Sequence, residues 1–207
     1  MDIQNNKEEV PFSHYAALFK ELDPHEAAQR CGVPFEDGSF TVKLLNVTYR
    51  IAWPEYAITA DREDAFALLN LPCQTFLLRF LLEGRAPALA LSYKTFREMP
   101  WGELYITPYT GRCLSRAAFT FGTQVEAFAA ACQRMGGEKL SRGDAGYSFA
   151  LLGGYRMQIM IYAGDEEFPP SSQILYSDNF ASGFSAEDRV VAGDILISAI
   201  RQEMKRK

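Results

Sequence analysis

The sequence predicts an α+β fold, an antiparallel sheet that includes a C-terminal three-strand meander, with helices packed against it. Three observations carry this. "YSFALLGGYRMQIMIYAG", residues 147–164, reads as two strands joined at Gly153-Gly154, where glycines supply the positive φ of a tight hairpin turn. "SQILYS", residues 172–177, is a further strand, and the segment 164–171 is shorter than the dozen or so residues a parallel crossover needs. Helix-start signatures flank this ribbon, most clearly Ser185 with Asp188 as a capping box ahead of Val190, Val191, Ile197 and Ile200. Lys205, Arg206 and Lys207 complement the dipole at the end of that terminal helix.

From the N-terminus, residues 1–10 are expected to form a flexible tail and residues 11–207 a single α+β domain. Ser13 can cap a short helix through about Leu22. "DPHE" then offers Asp23 as N-cap, Pro24 at the first helical position and Glu26 in the capping-box place, with Gly32 ending the helix. "FTVKLLNVTYRIAW", residues 40–53, reads as a hairpin around Asn46, because β-branched and aromatic residues flank a turn former. Asp61 and Asp64 bracket the start of another helix. Pro72 lacks the amide a continuous helix needs, so this segment breaks near Asn70 and restarts. From Cys73 the restarted helix carries a polar stripe of Thr75, Arg79 and Glu83, and it is expected to be central and largely buried. Two more helices follow Gly111, one to Gly122 and one capped by Thr123 and Glu126, which stops at Gly136-Gly137.

Composition narrows the functions open to this chain. At 48% hydrophobic and 13% aromatic, its 207 residues can bury a core of one-domain size. A formal charge of −5 and a pI near 5.2 give no positive field, so nucleic acid and anionic membrane are not expected partners. "MDIQNNKEEV" has neither the basic start nor the apolar run of a signal peptide. The longest apolar stretch, "AFALLNLPCQTFLLRFLL", is interrupted by Asn70, Pro72, Gln74 and Arg79, which argues against a membrane span. Cys31, Cys73, Cys113 and Cys132 are scattered through a chain long enough to fold without staples. Free thiols and a cytoplasmic location are expected, and the Asn46-Val47-Thr48 sequon is then silent.

Much familiar chemistry is missing. There is no phosphate-cradling glycine loop with lysine and no dinucleotide fingerprint. His14 and His25 lie in first turns of N-terminal helices and read as surface residues, which leaves few bases for nucleophilic catalysis. No cysteine pair has the short spacing of a zinc or iron–sulfur site, so no metal ligand is assigned and no cofactor is expected. Two stretches remain as candidate sites. In "GDEEFPPSSQILYSD", the meander would bring Asp165, Glu166 and Glu167 to one sheet edge with Asp144, leaving Asp178 at the other edge. Four carboxylates at one rim could bind a hard divalent cation or raise one another's pKa. Adjacent acids seldom converge on one ion, and Phe168 with Pro169-Pro170 reads as a rigid anchored loop, so a solvated turn is the plainer reading. In "TFREMPWGELY", Arg97, Glu98, Trp101 and Tyr105 suit a ligand-lining loop, and equally a lid over the core, which is the plainer reading. Arg79 and Glu83 read as a helix-surface pair.

The segments "FREMPWGELY", "GDAGYSF", "GDEEFPPSSQILYSD" and "FSAEDRVVAGDIL" resemble those of a family of bacterial and archaeal proteins, common in anaerobes, known as a domain of unknown function. The resemblance covers the chain from about Phe12 onward. It implies that some members carry an N-terminal four-cysteine iron–sulfur segment similar to that of corrinoid iron–sulfur proteins, a segment this sequence lacks. It therefore implies a link to anaerobic corrinoid or iron–sulfur metabolism by association, and it carries over no catalytic residue.

The expectation from these readings is a binding or accessory protein with a protein partner or a small-molecule ligand. Its candidate binding residues are Asp144, Asp165, Glu166, Glu167, Phe168, Glu98, Trp101 and Tyr105. The alternative is a divalent-cation-dependent enzyme that uses the acidic cluster at the sheet edge.

Overall fold

The computed structural model describes residues 6–62, 65 and 68–206, and one antiparallel sheet organises them. Along the chain come α1 (Asn6–Glu21), α2 (Pro24–Cys31), β1 (Phe35–Glu36), β2 (Ser39–Leu44), β3 (Val47–Ala52), β4 (Ala57–Ala60) and α3 (Leu71–Glu83). There follow β5 (Tyr93–Thr95), α4 (Ile106–Tyr109), a π-helical turn (Thr110–Ser115), α5 (Arg116–Phe121), α6 (Val125–Arg134) and β6 (Glu138–Leu140). The chain closes with β7 (Ala145–Leu152), β8 (Tyr155–Tyr162), β9 (Ser171–Ser177), α7 (Phe180–Gly183) and α8 (Ala186–Met204).

The strand order is β4-β3-β2-β7-β8-β9-β5, with β1 on β2 and β6 on β7. The predicted meander is therefore the centre of the sheet. β7 and β8 meet at Gly153-Gly154, and Gly153 takes φ +56, a conformation that side-chain-bearing residues adopt at a cost. Tyr147, Phe149 and Leu151 alternate with Met157, Ile159 and Ile161 on the covered face, and all six are buried. The hairpin β2–β3 turns at Leu45-Asn46 and joins the meander through the pair Leu44 and Leu152. A register irregularity between Ala150 and Leu152 accompanies this join, where the Leu151 carbonyl accepts from Leu45 N at 2.7 Å.

Helices cover the face that carries these apolar residues. α5 and α6 lie on the meander, and α8 packs against α6, α3 and the π-helical turn. Along α8, Val190, Ile195, Leu196, Ile197 and Ile200 are all buried, so this helix is enclosed on most sides. Its start is the predicted one: Ser185 Oγ accepts from Asp188 N, and the Asp188 carboxylate accepts from Ser185 N at 3.0 Å. Among the described residues, no helix is long and apolar enough to cross a membrane.

Several element starts differ from the sequence-based expectation. Ser13 lies inside α1 instead of capping it, and residues 6–10 are helical. The helix is held by Phe12, Tyr15, Ala16 and Phe19, which recur at helical spacing and pack on the core. Asp61 itself ends the β3–β4 ladder, its carboxylate accepting from Thr48 N at 3.1 Å; the helix expected after it falls mostly outside the described residues, Asp64 included, and Ala65 and Leu68 are in 3₁₀ conformation. α3 starts at Leu71, capped by Asn70 Oδ1, which accepts from Cys73 N at 3.0 Å, and Pro72 sits harmlessly in the first turn. The helix expected after Gly111 begins five residues earlier, at Ile106, and Gly111 falls within the π-helical turn. α6 has Gln124 at its N-cap position with no side-chain capping bond, so Thr123 does not cap it. The short strands β1, β4, β5 and β6 had no distinct signal, since two to four residues are too few to display a period of two.

Candidate functional site

The meander does bring Asp144 to the edge that carries Gly164 and Asp165. Asp144 Oδ2 accepts from Ala163 N at 2.7 Å, and Asp144 N donates to Ile161 O at 3.0 Å. The loop beyond is closed locally: Asp165 Oδ1 accepts from Glu167 N at 2.9 Å and Phe168 N at 2.7 Å, and Asp165 N donates to Phe168 O at 2.9 Å. These are the bonds of an Asx-type turn, and with the Asp144 bond they engage two of the four carboxylates on backbone amides. Glu166, Glu167 and Phe168 are exposed. Among the described residues, no three of His, Cys, Asp and Glu stand close enough together to hold a metal ion. Asp178, at the opposite edge, accepts from Leu91 N at 3.2 Å and Ser92 Oγ at 2.8 Å, and these bonds hold its carboxyl below the usual range.

The second candidate stretch forms one wall of a cleft of about 700 Å³. It is built as follows. β5 pairs with β9, and just beyond it Phe96 is buried, stacked on Tyr109 with ring centroids 4.0 Å apart. From that anchor the chain turns tightly. A side chain at Gly102 would place its Cβ 2.0 Å from Phe96 O, so only glycine allows the turn to close. Trp101 takes φ +63, a left-handed conformation that costs a non-glycine residue of order 1–3 kcal/mol. The result is that Trp101 and Leu104 are each 71% exposed and, with Tyr105, stand over the cleft. Glu98 is turned to another task, accepting from Thr95 N at 2.7 Å and Thr95 Oγ1 at 2.6 Å, which draws its carboxyl below the usual range. Arg97 pairs with Glu103 at 3.0 Å across the same loop.

The opposite wall and floor come from α7, the start of α8 and α3: Ser182, Phe184, Ser185, Glu187, Asp188, Arg189, Arg79 and Glu83. Arg79 does not pair with Glu83 as expected. Its Nη2 donates to Ser185 Oγ at 2.8 Å, its Nη1 lies 3.2 Å from Glu187 Oε2 and its Nε 3.2 Å from Asp188 Oδ1. The guanidinium also stands 5.4 Å from the centre of the Tyr15 ring. Packing of α8 on α3 creates these partners across more than a hundred residues of sequence, which outweighs a local helix-surface pair.

The two arginines of the cleft differ in their compensation. Burial presses the Arg79 guanidinium down, but Asp188, Tyr15 and Glu187 more than offset this and hold it above its ordinary value. Asp188, although it faces Arg79, is itself pushed up by burial. Arg189 is 1% exposed and donates to the carbonyls of Phe184 (3.1 Å) and Pro100, with its guanidinium 5.7 Å from the Phe96 ring centre. Its Nε–H has no acceptor, and no carboxylate pairs with it among the described residues. Burial draws it below its ordinary value, and Tyr176 and Asp188 oppose this only in part. The cleft thus combines exposed apolar residues, Trp101, Leu104 and Tyr105, with charged groups of both signs, a combination suited to holding a small molecule by its body and by a polar head.

Of the sequence-predicted residues, Trp101 and Tyr105 line this cleft, whereas Asp144 and the 165–168 loop lie at a sheet edge apart from its lining. Arg79, Ser185 and Arg189 were missed as site residues. A signal for Arg189 did exist: it is a cation set among the apolar positions of an otherwise enclosed helix. No curated protein and no solved structure matches the chain. The model of the family described as "Domain of unknown function (DUF3786)" does match, over residues 23–199, and the chain therefore belongs to that family.

Proposed function

We propose that this chain is a small-molecule-binding accessory protein whose site is the cleft between the 96–105 loop and the start of α8. The observation that carries the reading is the pair Trp101 and Leu104, both 71% exposed, held over a 700 Å³ recess of a size suited to a small ligand. Holding Trp101 in a left-handed conformation adds weight, because such strain persists where the surroundings over-determine it. Four free, buried thiols suit a reducing, cytoplasmic setting. The resemblance noted from the sequence supplies the context, a role beside corrinoid or iron–sulfur metabolism. The divalent-cation alternative has less to stand on, since Asp144 and Asp165 are occupied by backbone amides.

Fluorescence tests the reading directly. The chain has two tryptophans, and Trp53 is partly buried with its Nε1 donating to Phe19 O at 3.0 Å. In a Trp53→Phe variant all indole emission comes from Trp101. Titration with a panel of small metabolites should give a saturable change with at least one, lost in a Leu104→Ala, Tyr105→Ala double variant. A panel that leaves the emission flat, with no member raising the melting temperature, removes the proposal.

A further inference from the structure

We infer that the cleft selects an anionic ligand, a carboxylate or phosphate head on an apolar body, and that the Glu187 side chain occupies the place of that head on Arg79 until the ligand arrives. This rests on the cleft being a ligand site, as proposed above, and adds the charge of what it takes.

The lining contains three acids, Glu83, Glu187 and Asp188, and two arginines, so total charge alone does not favour an anion. What matters is which groups are already satisfied. Asp188 is closed on both sides: one oxygen accepts from Ser185 N and Ser185 Oγ, and the other faces Arg79 at 3.2 Å. Glu83 is exposed at the edge of the cleft, where water screens it. Glu187 is 66% exposed in its side chain and is held only by Arg79, at 3.2 Å, so it can swing into solvent at small cost.

The groups left open are donors. The backbone N–H groups of Ala186 and Glu187, the first two of a 19-residue helix, have no acceptor within the described residues, and the helix dipole places partial positive charge there. Arg189 lines the same cleft, 1% exposed; its Nε–H has no acceptor among the described residues and is closed off from solvent, so this guanidinium adds positive field to the cleft and not an open donor. It is held by two carbonyls and the Phe96 ring, and Asp188 offsets its burial only in part, so it is a charge with no carboxylate bonded to it among the described residues. An anionic head that displaces Glu187 would gain Arg79 Nη1 as a charged partner and the helix start as a second donor, while Trp101, Leu104 and Phe184 take the apolar body.

Two fluorescent probes of like shape separate charge from apolar contact: 8-anilinonaphthalene-1-sulfonate, an anion, and N-phenyl-1-naphthylamine, its uncharged counterpart. The full chain should bind the anion at one site and at least tenfold more tightly than the neutral probe, with energy transfer from Trp101 in the Trp53→Phe background. Arg79→Gln should weaken the anion about tenfold, the effect of one charged hydrogen-bonding partner, and leave the neutral probe unchanged. Glu187→Gln, at an exposed position that folding tolerates, should tighten the anion several-fold by removing its competitor. Displacement by 1-naphthylacetate or by 1-naphthyl phosphate, whichever is stronger, identifies the head, and displacement by neither counts against the inference. Equal binding of both probes, indifferent to Arg79→Gln and Glu187→Gln, overturns the anion while leaving the cleft as a site. Failure of both probes to bind at that cleft removes both.

Discussion

Arg79 on α3 donates from Nη2 to Ser185 Oγ at 2.8 Å, and that same hydroxyl accepts from Asp188 N at the start of α8. One oxygen atom therefore joins two helices and begins one of them. Ser185→Ala should lower stability by about 1 kcal/mol, the usual worth of an N-cap. Ser185→Asp should recover part of that, because a carboxylate can accept from both Asp188 N and Arg79. Urea midpoints with unchanged slopes provide the measurement, and a Ser185→Ala midpoint equal to wild type refutes the capping account.

The buried thiols make stability fall in alkali. Burial pushes Cys73 and Cys113 up to about 12 from an ordinary 9.0. Between those values the unfolded chain releases protons that the folded chain keeps, so the stabilising contribution is complete below pH 9 and is lost as pH rises towards 12. The slope is at most about 1.4 kcal/mol per pH unit for each thiol. Unfolding free energies at pH 8, 9.5 and 10.5 should decline in step, and Cys73→Ala should shallow the decline. At pH 8, a thiol reagent should react with none of the four cysteines until denaturant is added.

Glu203, whose side chain is only 7% exposed, accepts from Arg134 Nε at 2.9 Å and Arg206 Nη1 at 2.8 Å, tying α6 to the end of α8. Removing one partner of a fully buried pair costs about 3–5 kcal/mol. Both arginines are partly solvated here, so about 2 kcal/mol is expected for Glu203→Ala. A thermal or urea transition unchanged within about 0.5 kcal/mol would show the contact to be ornamental.

Gly193 sits inside α8, where alanine would ordinarily help by up to about 1 kcal/mol. A Cβ there would lie 2.8 Å from Cys113 Sγ and 3.2 Å from Tyr176 Oη. Overpacking of this kind costs about 1–3 kcal/mol, so the clash should win and Gly193→Ala should destabilise. Adding Cys113→Ala to it should restore part of the loss, since the atom that is struck is then gone.

For the acidic loop, isothermal calorimetry with millimolar magnesium, manganese or calcium should give no saturable heat. Asp165→Ala should shift stability by no more than about 1 kcal/mol, because its two amide partners can turn to water. A tight calcium isotherm lost in that variant would return the rim to the front of the functional question.

The meander, the caps at Asp23 and Ser185 and the Asn46 hairpin were readable because each depends on neighbours within a few residues: a glycine pair, a serine three before an aspartate, an alternation of two. The same locality explains the errors. Ser13 has the chemistry of a cap, but Phe12, Tyr15 and Phe19 continue the helix around it by packing on the core. Trp101 and Tyr105 were recognisable as large apolar bodies with polar tips beside a turn. Arg79 was assigned to Glu83 because i,i+4 was the only partner its own helix offers.

What the order of residues settled alone is the α+β class, the up-down-up ribbon at the sheet's centre and the start of the last helix, since short-range chemistry is enough for all three. The cleft belongs to the folded chain. It exists because β5 pairs with β9, which delivers the 96–105 loop to the beginning of α8, and because α8 packs on α3, which sets Arg79 against Ser185 and Glu187. Partners separated by 80 to 110 residues leave no periodic trace in a sequence, and burial, which deprives Arg189 of a counter-ion, arises only once the helices have closed around it.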